Sequence, residues 1–351
     1  MLVIVAPYPS AENERDGYLQ RINAIEQCLT DFNRIYLEIA FSGNLLPSKV
    51  KYSDRLTIYK LNFFLHFPYF LYLASRGDRI YVHTIKNGFK ILPIYLFKPV
   101  FTDLHGIVSE EAKMIGRKFR SKLHAFSEFL VVRFSRKIVV VTQKMSDFIQ
   151  NKYSKMKVSF LYIPICNFLG QGKINKNIRD GKPLVIYSGG LHGWQNIEEM
   201  IEAAGVLIDR FNFLFLVSDI QAFKDRVQDK ELLGKLEINS VSRTEMRSFY
   251  ERADFGFLLR HDNFVNQVAC PTKLIEYIEF GIIPILLQPN IGDFKELGLK
   301  YILLEDLYKG QDVSGFDLEE IRRSNLTILD KIKNHYDIGI DSLRKELVEA
   351  S

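Results

Sequence analysis

Cysteine is scarce in this sequence of 351 residues. The three cysteines, Cys28, Cys166 and Cys270, stand far apart in the chain. An odd and unclustered set builds neither a disulfide framework nor a cysteine-based zinc site. Their distribution therefore favours a protein of the reducing cytosol.

Long hydrophobic runs are also absent. No run approaches the roughly 18 apolar residues that identify a membrane-spanning helix. The nearest candidate, residues 61–74, is interrupted by Asn62, His66 and Pro68. At the N-terminus, residues 2–6 are apolar, with no basic region before them and no small-residue cleavage site behind them. This pattern predicts a first buried strand and not a signal peptide, so we expect a cytoplasmic protein.

Charge of one sign is not in large excess, since 47 basic residues accompany 42 acidic ones. The sequence has no basic stripe with interleaved aromatic residues, and we therefore expect no nucleic-acid partner. Short basic clusters at residues 117–122 and 133–137 indicate either a solvated helix face or contact with a membrane surface. No G-x-G-x-x-G follows the first strand, which argues against a dinucleotide-dependent dehydrogenase.

What the sequence does contain is a repeated alternation of strand and helix patterns. This alternation predicts parallel sheets covered by helices. The predicted strands are 2–6, 34–40, 55–61, 79–83, 100–104, 137–142, 157–163, 183–188, 213–217, 236–239, 255–259, 282–287 and 301–304. The predicted helices are 18–29, 109–134, 143–151, 196–209, 243–252 and 272–280, and the chain is helical after residue 317.

The alternation stops once, in a polar segment rich in glycine, asparagine and lysine at residues 167–182, which has linker composition. We therefore predict an N-terminal domain over 1–166 and a C-terminal domain over 183–325. A final helix over 326–351 is expected to return to the first domain. Both domains are predicted to be Rossmann-like, doubly wound and placed face to face across a cleft.

Residues 260–287 form the most informative stretch. Pro271 suits the first position of a helix and Gly281 suits its end, so a short helix is expected between them. Its N-terminal amides favour an anion such as a diphosphate. Lys273 lies in the first turn, where a cation makes sense beside a bound anion, and Glu276 lies one turn further on, where it would reach a ribose. The alternative is that Lys273 and Glu276 form an exposed pair on an amphipathic helix.

Four segments in this order resemble the retaining, GT-B-fold glycosyltransferases of family 4. The sequence CPTKLIEYIEFGIIPIL (270–286) is similar to the donor-site signature of that family. VIYSGGLHGWQNIEEMIEAA (185–204) resembles the strand, glycine loop and helix that open the C-terminal domain. ADFGFLLR (253–260) resembles the strand before the donor site, and DLHGIVSEE (103–111) resembles an Asp-x-His-Gly segment of the N-terminal domain.

The resemblance implies donor-binding roles in the second domain. Glu276 matches the glutamate that binds the donor ribose, Thr272 and Lys273 match the helix start that faces the diphosphate, and Gly189 and Gly190 match the loop near the distal phosphate. Two departures stand out. Val268 replaces the first glutamate of the family pair, with Asn266, Gln267 or Asp262 as possible substitutes. The family's diphosphate cations are missing from positions 190 and 195, and Arg260 with Lys273 are the replacements that we expect.

In the first domain, the resemblance places His105 beside the transferred sugar as a catalytic residue, with a structural histidine as the alternative. Asp103 is expected either to act or to orient the loop. The strand–loop–helix at residues 7–21 offers four acceptor-side candidates, namely Arg15, Asp16, Gly17 and Arg21.

The resemblance implies transfer of a sugar from a nucleotide-sugar donor to a glycan or polyprenyl-linked acceptor, as in capsule or lipopolysaccharide synthesis. No cofactor is expected, and no catalytic metal ion, since no Asp-x-Asp motif is evident.

The aromatic segment 61–72 predicts either a buried helix pair or a surface that meets the inner face of the plasma membrane, aided by Lys86, Lys90 and Lys98. Two other functions stay open: a nucleotide-sugar epimerase of GT-B fold, and a non-catalytic binding partner, which Val268 favours.

Overall fold

The computed structural model describes residues 1–9, 17–166, 168–170 and 181–349. The chain forms two compact units. The first contains residues 1–165 together with 334–351, and the second contains residues 166–333. Most of the predicted linker lies outside the described residues.

The first unit is built on a sheet that has eight strands among the described residues, in the order β3-β4-β2-β1-β5-β6-β7-β8. All neighbours are parallel except the antiparallel pair β3 and β4. The strands are β1 (Leu2–Val5), β2 (Arg34–Ala40), β3 (Ser48–Ser53), β4 (Leu56–Asn62), β5 (Arg79–His83), β6 (Val100–Leu104), β7 (Lys137–Val140) and β8 (Phe160–Tyr162).

Helices connect these strands. They are α1 (Gly17–Gln27), α2 (Phe67–Ser75), α3 (Ile85–Lys90), a 3₁₀ helix (Leu92–Leu96), α4 (Val108–Met114), α5 (Lys118–Phe134) and α6 (Gln143–Lys152). Apolar side chains of the central strands, such as Ile4 and Phe101, pack with Ile22 of α1 into a buried core.

The second unit contains a parallel sheet with six strands in its described part, in the order β11-β10-β9-β12-β13-β14. The strands are β9 (Leu184–Gly189), β10 (Asn212–Val217), β11 (Glu237–Asn239), β12 (Phe255–Leu258), β13 (Ile283–Leu286) and β14 (Ile302–Leu303). Successive residues of β9 enter opposite cores, since Val185 and Tyr187 join one cluster and Ile186 joins the other. This period of two buries both faces of the sheet.

The helices of the second unit lie between these strands. They are α7 (Ile197–Leu207), α8 (Ile220–Lys224), α9 (Lys230–Lys235), α10 (Met246–Tyr250), α11 (Phe264–Gln267), α12 (Thr272–Glu279), α13 (Phe294–Leu297) and α14 (Leu304–Tyr308), with 3₁₀ turns at Gly193–Gln195 and Val313–Gly315.

One helix belongs to both units. It is α15 (Leu318–Glu349), whose last part, from Asn334 onward, lies in the first unit. There Ile340, Leu343 and Leu347 are buried in the same core as β1. The C-terminal helix thus packs on the N-terminal domain, as the sequence predicts.

Each sheet reverses its winding once. In the first unit the chain moves from β1 to β2 and β4 on one side, then to β5, β6, β7 and β8 on the other. In the second unit β10 and β11 lie on one side of β9, and β12, β13 and β14 lie on the other. Ligands of doubly wound sheets bind outside the carboxyl ends of the strands at such a switch point. Ligand sites are therefore expected at the carboxyl ends of β1 and β5, and at those of β9 and β12.

The predicted strands agree closely with the observed ones, and three of them, 34–40, 79–83 and 100–104, have the same bounds. Two local predictions were wrong. Strand β3 was missed because all of its residues are exposed, so it carries no apolar signal. The helix predicted over 109–134 is two helices, because Gly116 adopts a left-handed φ of 74° between them.

Candidate functional site

Helix α12 begins and ends as its flanking residues dictate. Pro271, at φ −71° and ψ 118°, directly precedes the first helical residue, one position before the predicted place. At the other end Gly281 adopts φ 63°, its N–H donates to Ile278 O at 3.0 Å, and the N–H of Ile282 donates to Tyr277 O at 2.8 Å. These bonds form a Schellman motif. The helix start is therefore fixed beside the switch point of the second sheet.

Lys273 passes directly over Gly189, the last residue of β9. A Cβ atom on Gly189 would lie 2.2 Å from Lys273 Cε and 2.7 Å from its Nζ, so a larger residue there would displace the lysine side chain. Burial lowers the pKa of Lys273, Glu276 opposes this shift, and Arg260 adds to it. Among the described residues, no hydrogen bond or ion pair holds this ammonium group. A bound anion would restore the solvation that the group has lost.

Arg260 supplies a second cation after β12. It is buried, and burial lowers its pKa to about 10. Its Nε atom has no hydrogen-bond partner in the described part of the chain, while Nη1 reaches Asn266 Oδ1 at 3.5 Å. An arginine with an unsatisfied buried donor is poised to bind a phosphate or carboxylate oxygen. That Arg260 and Lys273 replace the cations of the family at positions 190 and 195 stays a prediction, and their burial and lowered pKa values are consistent with it.

The adjacent loop is held by its own bonds. Tyr187 Oη donates to the carbonyl oxygen of Gly190 at 2.6 Å. Asn266 donates from Nδ2 to His261 O at 2.9 Å, and its Oδ1 faces Arg260. Its amide is therefore engaged within the loop and orients Arg260, which differs from the direct donor contact that we predicted. Val268 is buried, so its side chain packs in the interior.

Glu276 lies one helical turn beyond Lys273 and is 4% exposed. The alternative of an exposed pair on a helix surface is therefore wrong. Tyr250 Oη donates to Glu276 Oε2 at 2.8 Å, and Arg243 Nη1 lies 3.7 Å from Oε1. Tyr250 Oη also lies 2.5 Å from Ser188 Oγ. Burial raises the pKa of Glu276, whereas Lys273 and the Tyr250 hydrogen bond oppose this.

Ser188, Arg243 and Tyr250 were not identified from the sequence. Tyr250 is separated from Glu276 by 26 residues, and Ser188 is separated from Tyr250 by 62. No motif marks Tyr250, since a buried tyrosine in a helix is a common core residue. A usable signal was the serine directly before the glycine pair, at the carboxyl end of the first strand of its sheet.

In the first unit, two histidines meet at the ends of β5 and β6. His83 and Asp103 are opposite each other in the parallel register, and His105 follows β6. His83 Nδ1 lies 3.0 Å from His105 Nε2, and these atoms lie 3.5 and 3.6 Å from Asp103 Oδ2. His105 keeps some exposure, with its side chain 13% accessible, whereas His83 and Asp103 have none. His105 is thus the member of this group that a substrate can contact.

Asp103 is held as an anion in the interior. Arg21 donates to it from Nε at 3.0 Å and from Nη2 at 3.3 Å, and Tyr81 Oη donates at 2.9 Å. Burial by itself would raise the pKa of Asp103, but Arg21 and the two imidazoles together hold the pKa far below its usual range. The carboxylate has no exposure and lies against both imidazoles, which favours an orienting role over direct action on a substrate.

The four acceptor-side candidates have different outcomes. Arg15 and Asp16 lie outside the described residues. Gly17 is the first residue of α1. Arg21 is buried, and its remaining Nη1 donates to Pro164 O at 3.1 Å. All three guanidinium nitrogens are thus engaged, so the prediction that Arg21 contacts an acceptor was wrong, and its role is to neutralise Asp103.

The backbone between the two histidines carries strain. Thr84 adopts φ 72°, which is a costly conformation for a β-branched residue. Its N–H donates to Asp103 O at 2.9 Å, which ties the end of β5 to β6. Burial lowers the pKa of His83 well below its ordinary value, so His83 is neutral and accepts or donates one hydrogen bond to His105.

His83, Asp103 and His105 are also the group of described residues whose donor atoms are close enough to hold a metal ion. Imidazole nitrogen and carboxylate oxygen suit zinc and related ions. Arg21, however, already donates to the same carboxylate oxygen, Oδ2. A second cation on that oxygen would be repelled by the guanidinium, so the donor set fits a hydrogen-bonded cluster better than a metal centre.

The aromatic segment 61–72 has a mixed outcome. Phe70 is buried, as in the core alternative, whereas Phe64 and Tyr72 are 69% and 57% exposed. Of the three lysines predicted to assist, Lys90 is buried and donates to Ile39 O and Asn87 Oδ1 at 2.5 and 2.8 Å. It therefore supports the carboxyl end of β2 and cannot meet a membrane surface. Among the helices of the described residues, none has the length and apolar character needed to cross a bilayer.

No protein-family model matches the sequence, and no curated protein matches it. Solved structures match it over nearly their whole length. Sucrose-phosphate synthase from Thermosynechococcus elongatus superposes with a TM-score of 0.74 at 12% identity, over 100% of this chain and 99% of that chain. HepE from Anabaena, in complex with UDP and glucose, superposes with a TM-score of 0.68 at 13% identity, over 100% and 99%. The UDP-forming α,α-trehalose-phosphate synthase from Burkholderia vietnamiensis gives 0.67 at 12% identity, over 99% and 97%.

The chain has the GT-B fold. The predicted fold class is thereby confirmed, in the form of two Rossmann-like units with parallel sheets. At 12–13% identity these similarities establish the fold alone. The chemistry that this GT-B protein can perform depends on the positions of Lys273, Arg260, Glu276 and His105.

Proposed function

We propose that this protein is a glycosyltransferase that moves a sugar from a nucleotide-sugar donor to a glycan or lipid-linked acceptor, with anomeric retention and without a catalytic metal ion. The observation that carries the proposal is the arrangement at the switch point of the second sheet. Two poorly compensated cations, Lys273 and Arg260, lie near the glycine end of β9 and the start of α12, one turn from buried Glu276.

Structural neighbours support a nucleotide-sugar as the donor. HepE from Anabaena has been solved with UDP-glucose, and the Escherichia coli trehalose-6-phosphate synthase has been solved with UDP-2-fluoro glucose. A uridine nucleotide is therefore the first donor class to test.

In this proposal, the donor diphosphate lies at the start of α12. The amides of Thr272 and its neighbours and the backbone of Gly189 and Gly190 accommodate the phosphates, while Lys273 and Arg260 supply the positive charge. As the sugar leaves, negative charge grows on the diphosphate, and cations fixed in a low-dielectric site stabilise that charge strongly. Glu276, held in place by Tyr250 and lying near Arg243, accepts hydrogen bonds from the ribose hydroxyls.

His105 acts on the sugar side. Its Nε2 atom faces His83 and Asp103, which fixes the ring. Its Nδ1 atom is buried and has no hydrogen-bond partner among the described residues, so we propose that it bonds the sugar once a donor is bound. Retaining transfer by same-face attack requires no protein nucleophile, so a positioned imidazole that bonds the sugar is sufficient. Asp103, Arg21 and His83 hold that imidazole in place.

The biological setting rests on the family resemblance. We propose a role in building a bacterial surface glycan such as a capsule or lipopolysaccharide, on a polyprenyl-linked acceptor at the inner face of the plasma membrane. The acceptor contacts involve the start of α1 at Gly17 and, outside the described residues, Arg15 and Asp16.

Calorimetric titration with UDP and UDP-sugars, with EDTA and with added Mg²⁺ or Mn²⁺, tests the proposal. Binding of similar affinity in all three conditions, followed by transfer to an added acceptor, supports it. Conversion of the donor sugar to an epimer without acceptor would identify an epimerase. Binding without any turnover would favour a non-catalytic partner, and absence of binding to every nucleotide would contradict the donor site.

A further inference from the structure

The N-terminal part of helix α5 presents apolar side chains to solvent, whereas the helix buries Val131 and Val132 near its C-terminal end. Phe119 is 81% exposed, and Leu123 and Phe126 follow at four and seven residues, the spacing of one helix face. Ser127 and Glu128, by contrast, are buried. An ordinary surface helix has the opposite arrangement, with its apolar stripe inward.

The orientation of α5 is fixed from inside. Glu128 accepts hydrogen bonds from Ser109 Oγ at 2.9 Å and Tyr153 Oη at 2.8 Å, and it pairs with Lys152 Nζ at 2.6 Å. Turning the helix to bury its phenylalanines would break this buried ion pair, which is strongly unfavourable. The outward phenylalanines therefore belong to the stable fold.

The charges on α5 have one sign. The helix contains Lys118, Arg120, Lys122 and Arg133, and its single acidic residue is the buried Glu128. In the wider stretch of residues 61–137 there are 13 lysines and arginines and only five acidic residues. This excess contrasts with the near balance of the whole chain, and it makes the surface of α5 complementary to an anion.

A second group of exposed apolar side chains lies at the 3₁₀ helix, which packs beside α5. Leu96 is 62% exposed, and Phe97, directly after the 3₁₀ helix, is 79% exposed. Lys98 follows, so the same combination of aromatic and basic side chains is repeated. Several large exposed apolar side chains on two packed elements indicate an interaction surface.

We propose that this α5 face, defined by Leu96, Phe97, Phe119, Lys122, Leu123 and Phe126, docks on an anionic lipid bilayer. Aromatic side chains outward, cations at the flanks and no exposed acid on the helix are the features of helices that lie in the bilayer interface. A protein partner fits less well because lysine is depleted at protein–protein interfaces. The inference does not depend on the proposed donor site, whose residues belong to the other unit.

Vesicle co-sedimentation of the full chain tests the proposal. We expect binding to vesicles that contain phosphatidylglycerol, much weaker binding to pure phosphatidylcholine, and loss of binding in high salt. The variant Phe119→Ser/Phe126→Ser should lose tenfold or more of the partition coefficient. Lys118→Glu/Lys122→Glu should lose still more on anionic vesicles, since each basic residue near the surface contributes about fivefold and the substitution also adds repulsion.

Leu46→Ser is the matched control, because Leu46 is 84% exposed in the same unit but lies outside α5. Its binding should equal that of the parent chain. UDP affinity and thermal unfolding, measured for every variant, separate loss of docking from misfolding and from failure of the donor site. Absence of vesicle binding by the parent chain would overturn the proposal. So would a dimer in light scattering that Phe119→Ser/Phe126→Ser dissociates, since the face would then join two copies.

Discussion

The side chain of Lys273 occupies the space that a Cβ atom on Gly189 would need. Gly189→Ala therefore has to displace the lysine from the start of α12. A charge-assisted hydrogen bond contributes about 1.5–3 kcal/mol, so we expect the affinity for UDP to fall roughly 10- to 100-fold. Calorimetric titration measures this. Gly193→Ala is the control, because no atom lies within 4 Å of its added Cβ; equal affinities for the two variants would contradict the assignment of Lys273.

Tyr250→Phe removes the hydroxyl that connects Ser188 to Glu276. We expect the Kd for UDP to rise about fivefold to tenfold, since one hydrogen bond to a charged group is lost and Glu276 is less well positioned. Tyr95→Phe is the matched control, because its buried hydroxyl lies 2.9 Å from Thr102 Oγ1 in the first unit. A similar loss of affinity in both variants would indicate a general effect of core tyrosines.

His105→Asn separates binding from turnover. If the imidazole acts on the sugar, kcat for transfer should fall at least about 100-fold, as for loss of a positioned polar catalytic group, while the Kd for UDP stays unchanged. Addition of EDTA should change neither value in the parent enzyme. A parent activity that EDTA abolishes and Zn²⁺ or Mn²⁺ restores would contradict the metal-free mechanism.

Arg21→Met leaves Asp103 as a buried anion without its main partner. Breaking a buried pair in this way costs about 3–5 kcal/mol, so we expect a marked fall in the unfolding temperature of the first unit. The double variant Arg21→Met/Asp103→Asn should recover part of this loss because no charge is then buried. Chemical unfolding of the three proteins measures the coupling. An Arg21→Met variant as stable as the parent would contradict the role of Arg21 as the neutralising partner.

Lys90 gives a pH dependence of stability. Burial lowers its pKa from 10.5 to about 8 in the folded chain. Between those two pH values the unfolded state binds one more proton than the folded state, so stability rises with pH there, by at most about 1.4 kcal/mol per pH unit. The difference in unfolding free energy between the parent and Lys90→Met should therefore shift in favour of the parent from pH 7.5 to 9.5. A constant difference would contradict a lowered pKa.

The sequence predicts best those elements whose bounds are set by neighbouring residues. Strand β6 is a short apolar run between a proline and a glycine-containing loop, and α12 is bounded by Pro271 and Gly281, so neighbouring residues determine both. Strand β3 has no such local signal, because its exposed residues pair with β4 through backbone bonds that any sequence can make. Such edge strands carry little side-chain information.

The site was predicted where it depends on a short motif and missed where it depends on contacts across the fold. Lys273, Glu276 and Gly189 lie in recognisable segments. The pairing of Arg21 with Asp103, by contrast, spans 82 residues, and nothing in the loop around either residue indicates it. Because Arg21 and Asp103 are both buried, we assign them to the support of His105 and not to contact with a substrate.

The first unit takes its core from both ends of the chain. Ile340, Leu343 and Leu347 are buried against residues that include Leu2 and Ile4. On the ribosome, the N-terminal sheet therefore emerges long before the helix that completes its core, and the intervening second unit must be synthesised first. Domains generally fold in the order of synthesis, but here the second unit has all of its strands available before the first unit can close. Cleavage within α15 would leave the second sheet intact and expose the apolar face of the first.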